Sequence, residues 1–106
     1  MITKINPSVC KRILFSGQMQ SVLKSATTKE QLVAKAFDVV GRHQKAMGYD
    51  VLAVRAEMPD DPKKGEVELT VQVGSIGDPR QNKMYEVTFS RRVQKFTIDE
   101  QSPTLL

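Results

Sequence analysis

From Glu66 to Val73 the chain reads Glu-Val-Glu-Leu-Thr-Val-Gln-Val, with polar and apolar residues alternating without a single error. Successive side chains of a strand point to opposite faces, so this pattern predicts a sheet with one buried face and one wet face. Residues 84–90 repeat it, with Tyr85, Val87 and Phe89 inward. In residues 51–58, Leu52, Val54, Ala56 and Met58 are expected to share one face. Residues 58–65, with two prolines and a glycine, read as a polar turn loop, and residues 74–83 as a second loop holding Gly74, Gly77 and Pro79.

A different period precedes these strands. Thr27 or Thr28 can cap a helix, and Thr27-Thr28-Lys29-Glu30 and Thr28-Lys29-Glu30-Gln31 both fit a capping box. Leu32, Val33, Ala36, Phe37, Val40 and Met47 follow at helical spacing, and Gly48 is placed to end the run. The spacing predicts one helix over 28–47. Residues 12–15 and 18–25 read as strand candidates, with helix left open there. The expected fold class is α+β, an antiparallel sheet of about four strands with one long helix packed on one face. Its core should contain Leu32, Phe37, Val40, Leu69, Val71, Val87 and Phe89. The expected organisation is an N-terminal extension over 1–14, a single regulatory or binding domain over 15–98 and a flexible tail over 99–106.

The search for chemistry yields little. His43 is the one histidine and reads as a partly exposed helix residue. Cys10, the single cysteine, excludes an internal disulfide and suits a reducing compartment. Gly74-Ser75-Ile76-Gly77 lacks the spacing of a phosphate loop. Asp60 and Asp61 are too few to cage a calcium ion, which takes six to eight oxygens. The five methionines read as core filler rather than as an adaptable binding surface. No catalytic residue, cofactor or metal is expected, and no apolar run approaches the ~20 residues of a transmembrane segment.

Charge carries the remaining signal. The net charge is +4, yet residues 1–55 hold nine basic and three acidic residues, against seven and nine in residues 56–106. A basic half favours anionic partners such as phospholipid headgroups, nucleic acid or an acidic protein face. Lys63 and Lys64 lie in the first hairpin loop, and Arg91, Arg92 and Lys95 after the strand that ends at Ser90. Charges of one sign on loops and strand ends can converge into an anion-binding rim. Those five residues are the candidate site.

The order of these segments resembles the kinase-associated domain 1 family, the C-terminal regulatory domains of serine/threonine kinases of the checkpoint, microtubule-affinity-regulating and AMP-activated types. The resemblance covers residues 15–96. Its carriers are Leu23-Lys24-Ser25-Ala26-Thr27-Thr28-Lys29-Glu30 before the helix and Met47-Gly48-Tyr49-Asp50-Val51 after it, then the middle strand over 65–73 and Met84-Tyr85-Glu86-Val87-Thr88-Phe89-Ser90-Arg91-Arg92. It implies regulation without catalysis: binding of anionic phospholipid through basic loop and strand residues, docking on a kinase catalytic domain to restrain it, or both. The expected location is intracellular, cytoplasmic or nuclear, and peripheral at membranes. No Gly-rich loop, HRD or DFG sequence of a kinase catalytic domain is present. Two other readings compete. One is a double-stranded RNA binding module, for which the basic closing helix is missing. The other is a free-standing inhibitor, for example phage-encoded, acting through a sheet edge.

Overall fold

Ser16 and Thr28 begin two consecutive helices by the same device, a hydroxyl that accepts an otherwise unpaired first-turn amide. Ser16 Oγ accepts from Met19 N at 3.2 Å and Thr28 Oγ1 from Gln31 N at 3.1 Å. Gln31 Oε1 reaches back to Thr27 N at 2.8 Å, which completes a capping box shifted by one residue. The computed structural model describes residues 12–42, 50–61, 65–75 and 78–101. Among these, α1 is Gly17–Ser25, α2 is Lys29–Gly41, and four strands follow: β1 Asp50–Glu57, β2 Glu66–Ser75, β3 Asp78–Ser90 and β4 Lys95–Gln101. The strands pair antiparallel in the order β1-β2-β3-β4.

The four-stranded antiparallel sheet agrees with the expected fold class, and α2 occupies the described part of the helix expected over 28–47. It is not the single helix of the fold, because the stretches 12–15 and 18–25, expected as strands, are largely helical and supply α1. The reason is packing. Met19, Leu23 and Ala26 fall three or four apart, and all three are fully buried, as is Leu14. A strand here would have divided them between two faces. The end of the long helix expected at Met47 and Gly48 lies outside the described residues, while α2 is regular to Gly41.

The core lies between the helices and one face of the sheet. β2 contributes Val67, Leu69, Val71 and Val73, β3 contributes Tyr85, Val87 and Phe89, and α2 contributes Leu32, Ala36, Val39 and Val40. Phe37 departs from expectation, with 50% of its surface exposed. It sits a sixth to a third of a turn off the buried stripe and lies instead over Gly41, where an added Cβ would be 3.7 Å from its ring. Leu52 also leaves the apolar face, because the register shifts between Val51 and Ala53 and turns it outward. The supposed loop over 74–83 is mostly strand, and Asp99 to Gln101, expected in a flexible tail, belong to β4. Phe96 and Ile98 of β4 pair with Phe89 and Val87 and extend the apolar face.

Candidate anion-binding surface

One end of the sheet gathers the start of β2, the end of β3 and the start of β4. β3 leaves through a turn over 91–94 in which Gln94 adopts a positive φ of 58° and its side-chain amide donates to the Arg91 carbonyl at 2.8 Å. That conformation lets four residues reverse the chain. The tip therefore presents Arg92, Val93 and Lys95 outward, all exposed, with Val93 at 66%.

Arg91 points the other way. Its Nε and Nη2 donate to the Leu23 carbonyl at 3.1 and 2.8 Å, and Nη2 also donates to the Ala26 carbonyl at 2.7 Å. These are the open carbonyls at the C-terminus of α1, where the helix dipole is negative and a cation is favoured. Burial lowers the Arg91 pKa from its usual value, yet a guanidinium stays charged in proteins. Arg91 is thus a clamp between helix and sheet, and its charge is engaged within the molecule. The expectation that it forms part of the anion rim is corrected on that point.

The same residue ties in the first hairpin. Its backbone N–H donates to the Gly65 carbonyl at 3.2 Å, so the loop that carries Lys63 and Lys64 ends against the β3–β4 turn. Lys63 and Lys64 themselves lie outside the described residues, as do His43 and Cys10. Gly65 is needed for close approach: a Cβ there would stand 2.3 Å from Pro59 Cβ and 2.5 Å from Cγ, inside a ring that cannot rotate away. Gly65→Ala should lower stability by about 1–2 kcal/mol through overpacking, measured as a fall in the urea midpoint at unchanged slope. A variant as stable as the parent would show that the loop relaxes freely.

Two features of this end escaped the sequence reading. Lys24, exposed in the last turn of α1, follows directly on Leu23, whose carbonyl Arg91 holds. Phe15, 47% exposed, leans on Phe96 with ring centroids 5.0 Å apart and planes at 58°, an arrangement favoured between aromatic rings. The end of the sheet thus mixes cations with exposed apolar surface. Its boundary is not uniformly basic, since Glu66 pairs with Ser90 across from Lys95. The face of the sheet opposite the core carries Glu57, Glu66, Glu68, Glu86 and Asp99 against Arg55 and Lys95. An anionic partner is therefore repelled by that face and attracted at the Arg92–Lys95 tip.

Among the described residues no group of three or more His, Cys, Asp or Glu side chains is placed to hold a metal ion, and no helix is long and apolar enough to cross a membrane. No protein-family model, curated protein or solved structure matches the chain. The functional reading rests on residues and geometry.

Proposed function

We propose that this chain is a non-catalytic targeting or regulatory domain whose basic end rests on an anionic phospholipid surface. The observation that carries the reading is Val93, two-thirds exposed at the tip of a tight turn and flanked by Arg92 and Lys95. An apolar tip between cations suits a bilayer interface, where the side chain enters the headgroup boundary while the charges meet phosphates. Half-exposed Phe15 enlarges the apolar part, and Lys24 adds a third described cation. Lys63 and Lys64, which precede Gly65 in the sequence, belong to the same proposed site. The acidic sheet face sets the orientation: the domain stands on its end, with the sheet face turned away from the lipid.

Each basic residue near a negative leaflet contributes about 1 kcal/mol. Removing two should weaken partition by roughly 30-fold, since 1.4 kcal/mol is a factor of ten. The experiment is co-sedimentation with phosphatidylserine-containing and with neutral phosphatidylcholine vesicles across a salt series. The parent should sediment only with the anionic vesicles, and release as the Debye length falls from ~10 Å at 0.1 M to ~3 Å at 1 M. Arg92→Glu with Lys95→Glu should abolish sedimentation at an unchanged melting temperature. Val93→Ser should weaken sedimentation at low salt without altering how steeply it falls with salt. A parent that ignores anionic vesicles at low salt refutes the lipid reading and directs attention to a protein partner, a kinase catalytic domain first. Equal binding of duplex RNA, lost in parallel with salt, reduces the result to general basicity.

A further inference from the structure

Phe15 and Val93 reach the surface at the same end of the molecule by different routes. Leu14, immediately before Phe15, is fully buried. Neighbours in a helical turn point about 100° apart, so the interior place of Leu14 turns Phe15 outward, where 47% of it stays exposed. Its ring rests on Phe96, which follows Lys95 directly in β4. The backbone beneath the ring is fixed: Ser16 N–H donates to the Ile13 carbonyl at 3.1 Å, and Gln20 Nε2 to the Phe15 carbonyl at 2.9 Å. At the far end of α1, Arg91 holds the Leu23 and Ala26 carbonyls. α1 is therefore tied at both ends to the flanks of the turn over 91–94, one end through Phe96 and the other through Arg91.

The charges on this flank have one sign. From Arg12 to Lys29 the sequence contains no Asp or Glu, and its cations Arg12, Lys24 and Lys29 are all exposed. Arg12 precedes Phe15 by three residues through the helical turn over 12–14, a spacing that sets two side chains on one side. The pair repeats what Val93 forms with Arg92 and Lys95: an exposed apolar group beside a cation. The acids Glu57, Glu66, Glu68, Glu86 and Asp99 lie on the other face of the sheet. Phe15 belongs to the core side, because the Phe96 beneath it pairs with buried Phe89 and packs against the core. The second apolar and cationic pair thus lies on the side that an anionic surface attracts.

We infer that Arg12 and Phe15 form a second contact with the anionic leaflet, so that the domain meets it along the α1 flank as well as at the turn and leans onto its helical side. The inference rests on the lipid reading and adds to it an orientation and a cation, Arg12, that the tip does not contain. One apolar side chain at a turn leaves a bound domain free to pivot, whereas a second point of entry fixes its tilt. Phe15 suits that role because its backbone is hydrogen-bonded and its ring already rests on Phe96, so entering the headgroup boundary costs it little further freedom.

The chain contains no tryptophan, so a single introduced one reports its own surroundings. Phe15→Trp, Val93→Trp and, on the acidic face, Glu68→Trp are compared on phosphatidylserine-containing vesicles with and without brominated acyl chains. Melting curves first establish that each variant is folded. The emission of Phe15→Trp and of Val93→Trp should shift to the blue and be quenched by the bromines, and that of Glu68→Trp should do neither. Arg12→Gln should weaken sedimentation about fivefold, the worth of one basic residue beside an anionic leaflet, at an unchanged melting temperature. Quenching of Val93→Trp without quenching of Phe15→Trp means that the tip alone enters, which overturns the inference and leaves the lipid reading standing. A parent that does not sediment, with no variant quenched, removes the lipid reading and this inference with it. Equal quenching of Glu68→Trp, or an Arg12→Gln chain that binds like the parent, also overturns the second contact.

Discussion

Phe89→Ala should cost about 3–5 kcal/mol, the range for a buried phenylalanine, whereas Phe37→Ala should cost no more than about 1 kcal/mol. The two residues look equivalent in the sequence, each apolar at a position expected to face the core. In the structure Phe89 is 1% exposed, lies across from Val67 on one side and Phe96 on the other, and belongs to the central cluster. Truncating it opens a cavity among strands whose backbones are fixed by pairing on both sides, so little collapse can fill it. Phe37 already gives half of its surface to water and lies over Gly41 of its own helix. A domain of this size commonly has 5–15 kcal/mol in hand, so Phe89→Ala should melt near or below room temperature if the total lies at the low end. Urea unfolding of both variants checks the pair. Equal losses would place Phe37 in the core and displace α2 from its position on β1.

What the sequence reveals and conceals follows one division. Where a side chain's environment is set within its own element, pattern suffices: the alternation of Glu66 to Val73 and the Thr28–Gln31 cap are both local, and both are found where expected. Where the environment depends on a second element, pattern is ambiguous. Met19, Val22, Leu23 and Ala26 carry helical spacing, and Ser16 the capping hydroxyl, but nine residues are too few for that period to outweigh a strand reading. Phe96 and Ile98 alternate with Thr97 and Asp99, yet β4 becomes legible only once the turn at Gln94 is known to reverse the chain. The candidate site divides in the same way. Arg92 and Lys95 read as exposed charges and are exposed. Arg91, adjacent and chemically identical to Arg92, turns inward because two carbonyls from a helix far back in the sequence await it.

That difference between neighbours yields the second large effect. Arg91→Leu should destabilise the fold by about 2–3 kcal/mol, while Arg92→Leu should change stability by less than about 0.5 kcal/mol, as for most surface substitutions. Hydrogen bonds from a charged donor each contribute about 1.5–3 kcal/mol; the three at Arg91 share two acceptors and are partly open to water, so their sum is smaller than three separate bonds. The leucine keeps the packing of the stem but leaves the Leu23 and Ala26 carbonyls without their donor, and the α1 C-terminus without its compensating cation. Arg91→Lys should recover only part of the loss, because an ammonium cannot reproduce the planar fork that spans two carbonyls. For a domain of about 100 residues, 1 kcal/mol moves the melting temperature by roughly 4–8 °C, so the expected fall for Arg91→Leu is on the order of 10–20 °C. The same pair separates fold from binding. Below its melting temperature, folded Arg91→Leu should still sediment with anionic vesicles through Arg92, Val93 and Lys95, whereas stable Arg92→Leu should bind more weakly than the parent. If Arg91→Leu instead melts like the parent and loses vesicle binding, its guanidinium serves the anion rather than the helix, and the clamp between α1 and the β3–β4 turn is refuted.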